Sequence, residues 1–246
     1  MKHQRMATVY LIALGAFALG MASYVIAGLV PMVVSDFGVS VAKAGQLVTA
    51  FTLAYGIGSP VFVALLPAHK QRLGLLVALA IFTIANLVSA LVTTYTALVI
   101  TRIFAGVGAG VYLAMGIAAS AAVVPKDKRG QALALIMGGM ASGTVLGVPA
   151  GLMIAEQLGW ASTMWLIAIL GLISMIGLAV KLPALPASET STLREKLTII
   201  KDMRVTLILT VSLLAAISSL GLYTYIAPIM ANEGFGGVSN ITPWLW

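Results

Sequence analysis

Seven times along the chain, an apolar run of about twenty residues or more gives way to a short polar turn. The runs fall near 7–34, 43–66, 73–93, 97–124, 131–156, 160–181 and 205–231. At ~1.5 Å of rise per residue, each makes a helix long enough to cross a hydrocarbon core of about 30 Å. Their apolar residues are continuous and do not alternate with period two, so the pattern predicts membrane helices and argues against a β-barrel. Most connecting turns are short, which makes sequential helices antiparallel neighbours. Residues 182–204 break this rhythm. Their Pro and Ser residues read as a linker, and LREKLTIIKDMR has the pattern of an amphipathic helix lying on a membrane surface. The organisation expected is a six-helix bundle over 1–181, a linker over 182–204, and the first helix of an incomplete second bundle over 205–246.

Shifting the chain by 89 positions lays the first three runs on the next three: 7–34 on 96–123, 43–66 on 132–155 and 73–93 on 162–182. Gly58-Ser59-Pro60 then falls on Gly147-Val148-Pro149. An odd number of crossings separates the two triplets, so they would have opposite orientations in the membrane. Two inverted three-helix repeats are the plan of many secondary transporters. Chance similarity among apolar helices of equal length is the plain alternative.

Composition agrees with the pattern. Hydrophobic residues make up 61% of the 246, charged residues 9%, and the mean hydropathy is +1.08. A soluble domain of this size would need more charge to cover its surface. The net charge of +7 invites a nucleic-acid reading, but the basic residues sit in turns between spans. With the N-terminus in the cytoplasm, the inner loops hold twelve Lys and Arg residues and the outer loops only Lys43, which sets the orientation by the positive-inside rule. The start, MKHQRM and an apolar run, mimics a signal peptide, but the run is too long for one. Cysteine is absent, so disulfides and thiolate metal sites are excluded.

Candidate chemistry is sparse. Arg102 stands inside the fourth span, and Gly106, Gly110, Ala114, Ala118 and Ala122 follow it on the same face. An arginine within a span costs several kcal/mol unless it meets water or a partner, so it marks a functional interior. The competing reading is a side chain near the helix end reaching outward to the interface. In the fifth span Gly139, Gly143, Gly147 and Gly151 lie four apart, and Pro149 falls among them. Such a stripe permits either static close packing or a pliable sliding seam; Gly147 with Pro149 favours the seam. Asn86, in the third span, reads as an interhelical hydrogen-bonder. Tyr24, Tyr112, Met115, Tyr223 and Tyr225 are candidate cavity residues, with lipid-facing aromatics as the alternative. Of the seven acidic residues none lies deep in a span, and Asp36 is the one candidate for proton coupling, with Arg102 as its prospective charge partner. Pro31 is placed to bend or end the first helix. No GxxxxGK[ST] loop, metal-ligand cluster or nucleophile–base set is present, which argues against ATP-driven pumping, a metal site and an enzyme.

These residues carry a family resemblance. LVITRIFAGVGAG, with Arg102, Gly106, Gly108 and Gly110, resembles the fourth-span motif of the major facilitator superfamily. SGTVLGVPAG, with Gly143, Gly147, Pro149 and Gly151, resembles the fifth-span motif of its bacterial drug:proton antiporters. Three features depart from that pattern. LLPAHKQRLG keeps Lys70 and Arg72 but lacks the Asp of the usual Gly–Asp–Arg–Gly loop. Ser23 stands where many relatives have Glu, and seven spans are present where relatives have about twelve.

The resemblance implies an all-α integral membrane protein: a six-helix transporter bundle of two inverted three-helix repeats plus a seventh transmembrane helix. It implies secondary-active efflux of a small organic molecule (drug, sugar or nucleoside-like) by alternating access, in a bacterial inner membrane. A proton gradient would drive it, with no cofactor and no ATP site. Its partners would be the lipid bilayer and the small-molecule substrate, not nucleic acid, and the full-length form would be a monomer. An importer on the same fold and an inactive truncated remnant are the other readings left open.

Overall fold

A computed structural model describes residues 2–67, 70–185 and 202–232. The amphipathic helix expected over 193–204 lies mostly outside these residues. The helices are α1 (Lys2–Phe37), α2 (Val41–Leu65), α3 (Gln71–Ser89), α4 (Tyr95–Val123), α5 (Arg129–Ser142), α6 (Val148–Leu158), α7 (Trp160–Lys181) and α8 (Met203–Asn232). A single π-helical turn, Gly143–Gly147, joins α5 to α6, and the two form one span. Seven helical segments are thus long and apolar enough to cross a membrane, one for each run in the sequence.

The ends of these helices follow local chemistry. Ser40 caps α2 by accepting the Lys43 N–H at 3.2 Å, and Thr94 caps α4 by accepting the Ala97 N–H at 3.3 Å. Of the two outcomes expected of Pro31, bending or ending α1, the second does not occur: the helix runs through it to Phe37. The stop is Gly38, whose φ of +61° takes the left-handed conformation that a helix terminus requires, with its N–H on the Val34 carbonyl. This extra length carries Asp36 beyond the apolar run.

The helices pack as two interlocked triplets. α1 lies against the fifth span (α5 and α6) and against α7, while α4 lies against α2 and α3. The first helix of each triplet therefore packs on the second and third helices of the other, and α3 meets α7 between them. An exchange of two inverted repeats requires this pairing. α1 and α4 form the centre, with 67% and 61% of their apolar windows buried, against 17% for α2 and 28% for the fifth span. Among the described residues α8 touches the bundle through α1 and α2 at Leu220, Tyr223, Thr224 and Tyr225, the last with its hydroxyl against Gly45 of α2.

Candidate functional site

The arginine of the fourth span is completely buried. It stands seven residues after the start of α4, about 10 Å along the helix axis. Snorkelling to the interface is therefore not its role. Its Nη2 donates to Asn86 Oδ1 at 2.7 Å and to Ser89 Oγ at 3.1 Å, both on α3. Asn86 is oriented by its own Nδ2, which donates to the Phe82 carbonyl at 2.7 Å and leaves the amide oxygen facing the guanidinium. Ser89 Oγ in turn reaches Thr101 Oγ1 at 2.7 Å and the Ala85 carbonyl at 2.8 Å. Arg102 Nε and Nη1 have no hydrogen-bond partner among the described residues. The remaining close neighbour is an aromatic face, with the guanidinium carbon 5.9 Å from the Phe51 ring centroid, within cation–π range.

Phe51 faces two environments. It packs on Arg102, and it also lines a cleft of about 140 Å³ shared by α1, α2, α5 and α8. The other lining residues are Ser23, Tyr24, Thr52, Tyr55, Met140 and Leu220. Phe51 and Tyr55, one helical turn apart on α2, stack with centroids 6.2 Å apart. Tyr24 meets Tyr223 of α8 edge-on at 5.3 Å. Ser23 Oγ donates to the Leu19 carbonyl and Thr52 Oγ1 to the Val48 carbonyl, each at 2.8 Å. Their hydrogens are thus committed to their own helices, and the hydroxyls offer acceptor lone pairs to the cleft. The lining carries no charged side chain.

The expected cavity residues divide into three groups. Tyr24 lines the cleft, and Arg102 with Asn86 stands behind Phe51. Tyr112 and Met115 lie elsewhere. The Tyr112 hydroxyl donates to the Ile12 carbonyl at 3.1 Å and lies 3.5 Å from Ser174 Oγ, which itself donates to the Leu11 carbonyl. Tyr112 is a fully buried brace of α4 against α1 and α7, its ring filling the space beside Gly15. Met115 lines a separate apolar groove with Leu66, Gly74 and Val111. The sequence reading missed Phe51, Thr52 and Tyr55. The signal available was their common stripe on α2, which continues one turn on to Ser59, whose hydroxyl donates to the Gly110 carbonyl at 2.9 Å.

Asp36 has a different partner from the one expected. Its Oδ2 accepts the Trp160 indole N–H at 2.8 Å, and Phe37 packs on the same indole with centroids 5.6 Å apart. The carboxylate ties the end of α1 to the start of α7 and makes no ion pair with Arg102.

The glycine stripe of the fifth span lies along α1. A Cβ on Gly139 or Gly143 would strike the carbonyl oxygen of Ala13 or Phe17, and one on Gly147 or Gly151 would press on the Met21 side chain. The π turn falls within this stripe, with the Val148 N–H bonded to the Gly143 carbonyl, five residues back. Pro149 fits the turn, having no N–H to continue an α-helical ladder and a ring that would press on the carbonyl four residues back, but Pro31 and Pro60 sit in continuous helices, so proline alone is not its cause. Widening the helix by one residue relieves that contact and starts α6 afresh with proline in its first turn. Thr144 Oγ1 bridges the seam, lying 3.3 Å from the Met140 carbonyl and 3.4 Å from the Gly20 carbonyl of α1.

The sequence profile of the Major Facilitator Superfamily matches residues 12–245. A chloramphenicol resistance protein of Streptomyces lividans is 34% identical over 227 residues, which are 91% of this chain and 58% of that protein. The inner membrane transport protein YdhP of Escherichia coli K12 is 32% identical over 232 residues, 94% of this chain and again 58% of the relative. The chain thus spans a little over half the length of these relatives. Among solved structures, a bacterial homologue of the human lysosomal transporter Spinster, inward-facing and unoccupied, superposes with a TM-score of 0.78 at 17% identity. That match covers 98% of this chain and 58% of the other.

Proposed function

The chain belongs to the Major Facilitator Superfamily, and on that premise we propose that it forms the first six-helix bundle and the seventh helix of a transporter that exports a small organic molecule by alternating access. It is a multi-pass membrane protein of a transporter family and not an enzyme. The bundle over 1–181, the linker over 182–204 and the helix from 205 onward are this reading's units, with the N-terminus in the cytoplasm. The lysine and arginine distribution supports that orientation. A proton gradient is the proposed driving force.

The observation that carries the reading is the cleft at the meeting of α1, α2, α5 and α8, flanked on two sides by glycine-lined helix crossings. Ligand sites of such transporters lie between helix bundles near mid-membrane, where rocking of one bundle on another exposes them alternately. The names of the two sequence relatives, one a resistance protein and one an inner membrane transport protein, support export across a bacterial inner membrane.

Transport in inverted membrane vesicles tests the proposal. With the whole protein present, a neutral aromatic antibiotic should accumulate inside energised inverted vesicles and leak out when an uncoupler is added. Arg102→Ala should reduce that accumulation at least a hundredfold while membrane insertion is unchanged. It removes the charge beside Phe51 and leaves Asn86 Oδ1 and Ser89 Oγ without their buried donor. Normal transport by this variant would remove Arg102 from the mechanism, and accumulation only in right-side-out vesicles would make the protein an importer.

A further inference from the structure

A groove of about 170 Å³ runs between α2 and α3 with α4 at its back, and it shares no lining residue with the cleft. Phe62, Leu73 and Val77 form its exposed rim, while Val111 and Met115 of α4 are the buried floor. Every lining residue is apolar. The α3 residues along it, from Leu73 to Ile81, cover about 12 Å of helix. That is most of the ~15 Å of hydrocarbon in one leaflet, half of a ~30 Å core. A convex helix surface only touches lipid tails, whereas a groove with a buried floor takes one in. By volume it holds a run of about six carbons, as an apolar cavity of ~150 Å³ takes one benzene.

The mouth of this groove, at the turn from α2 to α3, is basic. Lys70 precedes Leu73 and Gly74 by one helical turn, and Val77 and Ala78 follow on the same face, so it stands in register with the groove lining. It is exposed, and its ammonium rides on a flexible four-carbon stem. Arg72 is turned away: its Nη2 donates to the Ala179 carbonyl of α7 at 2.8 Å. The sequence holds no Asp or Glu between Asp36 and Asp127, so α2, α3 and α4 offer no carboxylate. A zwitterionic headgroup finds a partner for its phosphate in Lys70 but none for its ammonium on these helices. An anionic headgroup needs only the first. In the orientation proposed above this turn is cytoplasmic, and the cytoplasmic leaflet is the one rich in anionic lipid.

We infer that the groove is a binding site for one anionic phospholipid of the cytoplasmic leaflet: an acyl chain lies on α4 between α2 and α3, and Lys70 holds the headgroup phosphate. The site is separate from the cleft and does not depend on what the cleft binds.

Quenching by brominated lipid tests the inference on the chain in phosphatidylcholine nanodiscs. Phe62→Cys, carrying a small fluorophore, puts the reporter on the groove rim. Dibrominated phosphatidylcholine gives the reference quenching curve. Dibrominated phosphatidylglycerol should bind roughly fivefold more tightly, the preference that one basic residue near a membrane surface confers. Lys70→Gln should bring the two lipids to within about twofold, and Lys70→Arg should keep the preference. Arg72→Gln should retain at least half of it, because the Arg72 side chain is bonded to α7. Glycerol 3-phosphate, which has the charge without the chains, should leave the quenching unchanged. Three results would overturn the inference. Equal affinity of the two lipids for the native chain would leave an ordinary lipid-facing surface. Equal losses in Arg72→Gln and Lys70→Gln would reduce the preference to a diffuse surface potential. Displacement by glycerol 3-phosphate would make this a site for free phosphate groups.

Discussion

Two helix crossings in this bundle are counterparts under the 89-residue shift, and they are built differently. In one, α4 crosses α2, and Gly106 and Gly110 of α4 lie against the carbonyls of Phe51 and Tyr55. In the other, the fifth span crosses α1, and Gly139 and Gly143 lie against the carbonyls of Ala13 and Phe17. The registers correspond: a Cβ on Gly106 would meet Ala54 at 3.0 Å, and the shifted pair is Phe17 with Gly143, where a Cβ would strike the Phe17 carbonyl. Yet at both crossings these glycines belong to the second triplet and the opposing carbonyls to the first. The architecture is two-fold while the sequence that builds it is not. The second triplet supplies these four glycines, α1 adds Gly20 against the Met140 carbonyl at its own crossing, and among the described residues the fifth span alone carries a π turn. α2 runs unbroken through Pro60, whereas the fifth span is divided ahead of Pro149. We read the α2–α4 crossing as a fixed contact and the fifth-span–α1 crossing as the one that gives.

The largest expected effect tests closeness of approach, which the two crossings share. Gly106→Leu and Gly143→Leu each drive a side chain into a backbone carbonyl that has no rotamer to escape with. Each should cost more than about 3 kcal/mol and lower the yield of folded protein. Gly58→Ala is the control, since its Cβ would meet Val107 Cγ2 at 2.9 Å and no backbone carbonyl, so only a slight shift is needed. It should cost about 1 kcal/mol or less. Thermal unfolding in detergent measures all three. A Gly143 variant as stable as the Gly58 variant would show that the fifth span does not lie in backbone contact with α1.

These contrasts also show how much of the molecule was legible in its sequence. Seven spans, the repeat offset and the glycine stripe could be read directly, because continuous apolar length and spacing by four report on any single helix without reference to its neighbours. Arg102 was legible for a related reason, as a charge in a span stands out against its surroundings. Which aromatic residue meets the cleft was not. Tyr24, Tyr55 and Tyr112 are alike in sequence, and the difference between lining a cleft and bracing a core is set by helix rotation relative to neighbours, as the Tyr112 bonds to α1 and α7 show. The partner expected for Asp36, Arg102, was wrong because scarcity of charge was the only guide to pairing. The continuation of α1 past Pro31 carries Asp36 to Trp160 instead.

A smaller effect on stability, but a larger one on motion, is expected at the π turn. A Cβ on Gly147 would meet Met21 Cβ at 3.1 Å, a tight contact but not with a carbonyl, so a larger residue there makes the two helices part slightly. Gly147→Leu should leave the protein inserted at a cost of about 1–2 kcal/mol. It should hold the seam in one arrangement and block exchange between inward- and outward-open forms. These 246 residues hold no cysteine, so single cysteines introduced on either side of this bundle report accessibility without background from it. If both faces of the Gly147→Leu protein still label at native rates, the seam is a static contact like its counterpart.

The finest distinction lies between the two prolines. Pro60 and Pro149 are equivalent under the repeat, but only Pro149 is preceded by a helix widened from Gly143 to Gly147. Alanine at 149 restores an N–H and removes the ring, so the fifth span can close into one continuous α-helix. That change should stabilise the protein by up to about 1 kcal/mol, as Pro is the least favourable residue within a helix. It should also slow exchange between the two open forms severalfold, because the softened turn is gone. Pro60→Ala removes a ring from a helix already continuous through that position. It should alter exchange by less than twofold. Because both substitutions delete the same atoms at equivalent sites, general effects of losing a proline cancel in the comparison. What remains is the contribution of the π turn: equal exchange rates in the two variants would assign the motion to some other part of the bundle, and a slowed Pro149→Ala alone would place it at the fifth span.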